Sequence, residues 1–242
     1  MAKKTNSLSR HIRDDIFLIL LALVFVVTSS LLIITSHTFQ FFGGNIDHVD
    51  TKEKVVALTF DDGPRDENMQ EVLGTLRQYN AKATFFLIGK DIQAHPDAAY
   101  QIFRQGHQIG NHSFSHRSLV FMPYDEVARE VEATDNAIRR IGYQQPIYFR
   151  PPYGHKFVYL PWYLHDHNRP TIMWSLAPDD FYKKADDMSA YVERSVKPGD
   201  IIIMHVMEKH RSEQRKALKQ FIPALQKQGY RFVTVSELIS LR

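Results

Sequence analysis

Polarity along the chain divides it into two unequal parts. From Ile16 to Thr35 the sequence IFLILLALVFVVTSSLLIIT carries no charge and shows no helical period. That pattern predicts a helix apolar on all sides rather than one with a single buried face. At about 1.5 Å per residue, its roughly 20 residues match the ~30 Å hydrocarbon core of a bilayer. Beyond Lys54 the apolar runs shorten and alternate with amphipathic stretches. Val55–Phe60 is a nearly continuous apolar run halted by Asp61-Asp62-Gly63-Pro64, which predicts a buried parallel strand ending in a turn. Similar runs predict strands at 83–88, 107–111, 147–149, 171–176, 200–205 and 231–235.

Periodicity predicts helices at 67–79, 96–105, 124–141, 188–196 and 212–228. The clearest is 124–141, where Val127, Val131, Thr134, Ile138 and Ile141 follow i, i+4, i+7, i+11 and i+14, and Gly142 ends it. Pro223 should kink or split the 212–228 helix, and Ser236 should cap a final short one. Strand then helix, about seven times over, predicts an α/β fold with a parallel sheet, closed into a small or incomplete barrel.

Four segments follow: a cytoplasmic tail (1–15), a transmembrane signal anchor (16–35), a tether (36–53) and a catalytic domain (54–242). Lys3, Lys4, Arg10 and Arg13 precede the anchor, which predicts a cytoplasmic N-terminus and an extracellular domain. A cleaved signal peptide is the rival. It fits less well because the run is long and no small-x-small site follows. Gly43-Gly44-Asn45 signals a turn, and Phe39, Phe41 and Phe42 suit a membrane interface.

Composition narrows the chemistry. Of 242 residues, 44% are hydrophobic and 24% charged, as in globular proteins. The net charge of +3 and the lack of an Arg-rich stripe with interleaved aromatics argue against nucleic acid. There is no cysteine, so any metal must be held by His, Asp or Glu.

Asp61-Asp62, His112, Arg150 and His205 each fall at or just past the C-terminal end of a predicted strand, the end that carries chemistry in parallel α/β folds. Asp61 and Asp62 are a carboxylate pair, although Asp-Asp-Gly is also an ordinary turn. His112 and His116, four apart, reach one metal from a helix or tight turn. One Asp and two His leave a position open for water and substrate. Arg150, before the stiff Pro151-Pro152, suits a carboxylate partner as well as a solvated cap. The Tyr153 N–H suits an oxyanion. His205 closes an apolar strand and needs a carboxylate to act as an acid, for which Asp180 is the candidate. His107, His155, His165, His167 and His210 read as surface or loop residues. Lys209, Arg211, Arg215, Lys216 and Lys219 read as a solvated basic face.

These words, in this order, resemble the polysaccharide deacetylases of carbohydrate esterase family 4, the NodB homology domain. Thr59-Phe60-Asp61-Asp62-Gly63, His112-Ser113-Phe114-Ser115-His116 and Arg150-Pro151-Pro152-Tyr153-Gly154 look like its first three motifs. Ile203-Met204-His205 looks like its fifth. The fourth is altered: the family carries Asp at the place of Ala177 and ends Asp-Trp, where this chain has Asp180-Phe181. The resemblance covers about Val55 to Ile239 and implies a distorted (β/α)7-type barrel. It implies Asp61 as base, Asp62, His112 and His116 as metal ligands, Arg150 orienting Asp61, and His205 as acid tuned by Asp180. Tyr153, Trp162, Trp174 and Phe181 are candidates for stacking on a sugar ring, and each reads equally well as a core aromatic. The cofactor would be one divalent ion, zinc first, with cobalt, nickel or manganese as alternatives. The partners would be an N-acetylated polysaccharide, peptidoglycan first, and the bilayer through the anchor. A catalytically silent glycan-binding protein and an O-acetyl esterase are the alternatives.

Overall fold

The computed structural model describes residues 3–242, with side chains from Arg13 onward. The first two residues of the expected tail, and the Lys3, Lys4 and Arg10 side chains used for orientation, lie outside what is described. The chain opens with α1 (Lys3–Ile34), whose Arg13–Ile34 segment is long and apolar enough to cross a membrane. Then follow β1 (Asn45–Ile46), β2 (Val55–Asp61), α2 (Asp66–Gln78), β3 (Thr84–Leu87), α3 (Gly89–Ala94), α4 (Pro96–Arg104) and β4 (Gln108–Asn111). After α5 (Tyr124–Arg140) come a 3-10 turn (Pro152–Gly154), α6 (Tyr159–Asp166), β5 (Thr171–Ile172), α7 (Pro178–Phe181) and α8 (Ala185–Ser195). β6 (Ile201–Met204), α9 (Ser212–Lys227), β7 (Arg231–Val233) and α10 (Val235–Ile239) complete it.

The named strands pair in parallel, in the order β4-β3-β2-β6 with β1 beside β5, and among the described residues the His48–Asp200 bridge is antiparallel. Phe149 bridges Asn111 to Thr171, and Leu176 bridges to Ile202, so the sheet closes on itself. β7 pairs with the start of β2 (Val55–Ala57) while β3 pairs with its end (Thr59–Asp61), which distorts the barrel. The expected strand at 147–149 is reduced to the Phe149 bridge.

β2 is buried along its whole length, and its side chains alternate between two cores. Val56, Leu58 and Phe60 pack outward with Leu73, Leu76 and Phe221 of α2 and α9. Val55 and Ala57 face the barrel interior with Phe86, Met173 and Ile203. The same alternation carries Thr59 and Asp61 inward, so the site begins as a continuation of the barrel core.

Several expectations are corrected. α9 runs unbroken through Pro223, and the Lys219 carbonyl that Pro223 cannot serve is met by the Tyr79 hydroxyl at 3.4 Å. α10 is capped by Thr234 in a capping box with Glu237, not by Ser236. His107 is buried, and burial, with Lys82 adding to it, lowers its pKa to about 4. Residues 36–53 are not a free tether. Ile46 and Val49 are buried, β1 pairs with β5, and the Val49 N–H donates to the Gly199 carbonyl at 3.0 Å.

Candidate active site

The end of β2 supplies two carboxylates by a backbone reversal. Strand alternation would turn Asp62 away from Asp61. Instead Asp62 and Gly63 have φ of 71° and 69°, and this left-handed kink returns the Asp62 side chain to the same opening. Gly63 also has no room for a side chain, since a Cβ there would meet Met207 Sδ at 2.6 Å.

The histidines come from a turn after β4, not from a helix. Ser113 and His116 have positive φ, and the two imidazole centroids lie 5.0 Å apart. Three side chains hold the turn, and one of them, Ser113, accepts the His116 N–H through Oγ at 3.0 Å. Asn111 accepts the Ser113 N–H at 2.8 Å. Glu130, on α5, accepts the N–H groups of Phe114 (3.0 Å) and Ser115 (2.8 Å) and the Ser115 hydroxyl. These bonds, opposing its burial, keep the Glu130 carboxyl below its usual pKa.

Donor atoms of Asp62, His112 and His116 all lie within 4.8 Å of one another. Asp62 Oδ1 is buried without a hydrogen-bond partner, with His116 Nε2 at 3.2 Å and His112 Nε2 at 4.0 Å. His112 Nδ1 lies 2.8 Å from the Arg150 carbonyl, an acceptor only, so Nδ1 carries the proton and Nε2 presents its lone pair. Burial and the neighbouring His112 lower the pKa of His116 against the pull of Asp62, which favours its neutral, ligating form. Two imidazole lone pairs and an orphaned carboxylate oxygen around one point fit a divalent cation.

Arg150 is fully buried, and the solvated-cap reading is excluded. Its guanidinium donates to Asp61 Oδ1 and Thr59 Oγ1, both at 2.7 Å, and to the carbonyls of Ile172 and Met173. It lies 4.2 Å from the centroid of the Phe86 ring. Burial would raise the Asp61 pKa, but Arg150, then His112 and His205, outweigh it and hold the carboxyl below its usual range. Asp61 Oδ2 remains, 3.6 Å from His112 Nε2.

His205 follows β6. Its partner is Asp179, not Asp180: Asp179 Oδ2 accepts from the His205 backbone N–H at 2.8 Å and lies 3.1 Å from Nδ1. Both carboxylates sit in the first turn of α7, but the helix buries Asp179 and leaves Asp180 exposed at the cavity wall. Burial lowers the His205 pKa, yet the Asp179 hydrogen bond and charge prevail and raise it to about 9.

These groups line one cavity of about 480 Å³ together with Tyr153, His155, Trp174 and Arg211. Trp174 is mostly buried and packs against His37 at 4.5 Å. Phe181, expected as a substrate wall, is 70% exposed beside Tyr191 and does not line the cavity. Two residues read as bystanders take part: His155 lines the wall, and Arg211 reaches the rim. Arg215, read as solvated, is buried and ties Glu71 (2.8 Å) to the Val206 and Glu208 carbonyls behind His205. Thr59, Asn111, Glu130 and Asp179 were missed. For Thr59 and Glu130 the available signal was a polar residue inside an otherwise apolar strand or helix face; Asp179, beside Asp180 in a polar turn, carried none.

A family model described as polysaccharide deacetylase matches residues 48–170. A peptidoglycan-N-acetylglucosamine deacetylase of Bacillus cereus is 35% identical over 194 residues, 79% of this chain and 91% of that protein. A peptidoglycan-N-acetylmuramic acid deacetylase of Bacillus subtilis is 31% identical, covering 78% of this chain and 40% of that protein. Among solved structures, a peptidoglycan N-acetylglucosamine deacetylase in complex with an N-oxidanyl-benzamide aligns with a TM-score of 0.76 at 32% identity, over 79% of this chain and 91% of that one. A pseudoenzyme of the CE4 family from Bacillus anthracis aligns with a TM-score of 0.74 at 28% identity, over 81% of this chain and 69% of that one.

Proposed function

The chain belongs to the polysaccharide deacetylase family, and on that premise we propose that it hydrolyses the N-acetyl groups of peptidoglycan, N-acetylglucosamine first, releasing acetate. It is a hydrolase of amide bonds in an N-acetylated cell-wall polysaccharide. The observation that carries the assignment of roles is the convergence of Asp61, the Asp62–His112–His116 donor set and the Asp179–His205 pair on one cavity.

Asp62, His112 and His116 hold a divalent ion, zinc first, since two imidazoles and a carboxylate suit a borderline cation. Bound there, such an ion supplies positive charge that polarises an amide carbonyl and acidifies water. Asp61, kept ionised by Arg150, takes the proton from the attacking water through Oδ2. Arg150 fixes the other oxygen and so fixes the direction of that transfer. His205, held protonated by Asp179, gives a proton from Nε2 to the departing amine. The products are acetate and a free amino sugar. Tyr153, beside His116 at 4.9 Å between rings, faces the sugar from the rim. Arg211 offers a fixed positive charge there for acidic groups on the polymer.

α1 is an uncleaved anchor, with the N-terminus cytoplasmic and the domain outside. Support comes from the contacts its end makes with the domain: the Ile34 carbonyl accepts the Lys156 N–H at 3.2 Å, and the Ser36 carbonyl accepts Lys156 Nζ. Cleavage near residue 36 would strand this buried lysine.

The test is acetate release from purified peptidoglycan by the full chain supplied with zinc, together with Asp61→Asn and His116→Ala. Near-normal turnover in either variant rejects the roles. Comparable release from an O-acetylated polymer favours the esterase reading. Metal and glycan bound with no acetate released favours the silent reading, which the pseudoenzyme neighbour motivates.

A further inference from the structure

The end of α1 does not emerge into open space. It is followed by aromatic side chains that join others on the domain. Phe39 meets Phe41 edge-on at 5.7 Å, Phe41 meets Phe157 at 5.8 Å, and Phe157 meets Phe121 at 5.9 Å. The adjacent Phe42 reaches Trp162 at 6.2 Å. These residues come from three separate places, namely the segment after α1, the loop after β4, and the stretch from the 3-10 turn into α6. Phe121 is 77% exposed, and Phe39, Phe41, Phe42 and Trp162 are exposed as well. So many exposed aromatics in one continuous patch are unusual on a soluble surface.

We infer that this patch is a collar that seats the domain on the outer leaflet around the emerging α1, with the interfacial zone of the bilayer as its partner. The inference rests on reading α1 as an anchor. The collar is continuous with the apolar helix: Phe39 follows Ile34 by five residues, and Lys156, whose neighbour Phe157 belongs to the collar, binds the carbonyls at the helix end. Its chemistry is also interfacial, since aromatic rings gather at headgroup level. The Phe39–Phe41–Phe157–Phe121 run offers no hydrogen-bonding group beside its rings, which meet edge to face, unlike a sugar platform; around Trp162, Tyr159 (6.3 Å) and Tyr124 (5.4 Å) add the hydroxyl-bearing rings that also gather at headgroup level. His155 of the cavity wall lies two residues from Phe157. Seating the collar therefore holds the cavity near the lipid surface and directs it to membrane-proximal glycan.

The full chain is reconstituted in phosphatidylglycerol–phosphatidylethanolamine vesicles, with the lipids either plain or brominated at the upper acyl carbons. Trp162 emission is obtained as the difference between wild type and Trp162→Phe. The expected result is at least about twofold quenching by the brominated lipid, reduced to near none in Phe41→Ser/Phe121→Ser. That double variant should still deacetylate a soluble oligosaccharide at the wild-type rate, which shows it is folded. Four results overturn the collar: unquenched Trp162 in chains that resist carbonate extraction, equal quenching in the double variant, shielding of Trp162 from the brominated lipid that strengthens as the lipid-to-protein ratio falls (a second copy covers the patch), and protection of Trp162 by soluble glycan without lipid contact. Release of the chain by carbonate rejects the anchor reading itself, and the collar with it.

Discussion

Replacing Asp179 by Asn tests the acid side of the site most directly. The substitution keeps an oxygen for the His205 backbone N–H but removes the charge that holds the imidazole protonated. His205 sits at about 9 against a reference of 6.5, and at roughly 1.4 kcal/mol per pKa unit that gap is about 3 kcal/mol in favour of the imidazolium. Without the Asp179 charge, burial acts against the charged form, opposed by the more distant Asp61 and Asp62 and by the exposed Asp180. With the Asp179 hydrogen bond and charge gone, the pKa should fall to about 6.5. At pH 7.5 the protonated fraction then drops from nearly all to about one-tenth, a loss of roughly tenfold in kcat for acetate release. The assay is kcat against pH from 5 to 10 on a soluble N-acetylated oligomer. The alkaline limb should move down by about two units in Asp179→Asn and by far less in Asp180→Asn, whose exposed carboxylate is screened by solvent. An unmoved limb in the first variant, or an equal or larger shift in the second, would refute the assignment of Asp179 as the partner.

The same linkage appears in stability. Because the folded-state pKa of His205 is raised, the pair's contribution is full below 6.5 and is lost as pH rises toward about 9. Wild-type Tm should decline over that window more than that of Asp179→Asn, and parallel curves would contradict it. Asp61 behaves oppositely: its lowered pKa gives stability that is present above 3.8 and lost as pH falls. Arg150→Met should cost about 3–5 kcal/mol in urea unfolding, since it leaves the buried Asp61 carboxylate unpaired, and a cost below 1 kcal/mol would show the pair to be dispensable. Glu130→Ala should cost about 1–3 kcal/mol by orphaning two loop N–H groups, and should weaken zinc binding measured by competition with a chelator. Unchanged zinc affinity would separate the loop from the ligands. Chelation should lower the wild-type Tm and zinc should restore it, with no such response in His116→Ala.

The strand ends, the donor types and the long apolar helix near the N-terminus were legible because each rests on local pattern. The buried strands end at Asp61, Asn111 and Met204, and a backbone emerging from a buried parallel strand can go only to the same end of the barrel. The arginine at 150 was visible, but its burial was not: that depends on the carbonyls of Ile172 and Met173, which another strand brings beside it. The choice between Asp179 and Asp180 was also out of reach. Adjacent positions in a helical turn point about 100° apart, and only the docking of α7 against β6 decides which one faces His205.

The altered fourth motif makes the same point. With Ala177 where the family carries Asp, a carboxylate two residues later reaches His205 from α7. The sequence by itself determined which chemical groups this protein has and at which strand ends they lie, because strand period and turn chemistry are properties of neighbours in the chain. Tertiary structure alone decided how those groups pair. It also decided that residues 36–53 pack on the domain, because burial and ion pairing are set by residues as far apart as Asp61 and Arg150.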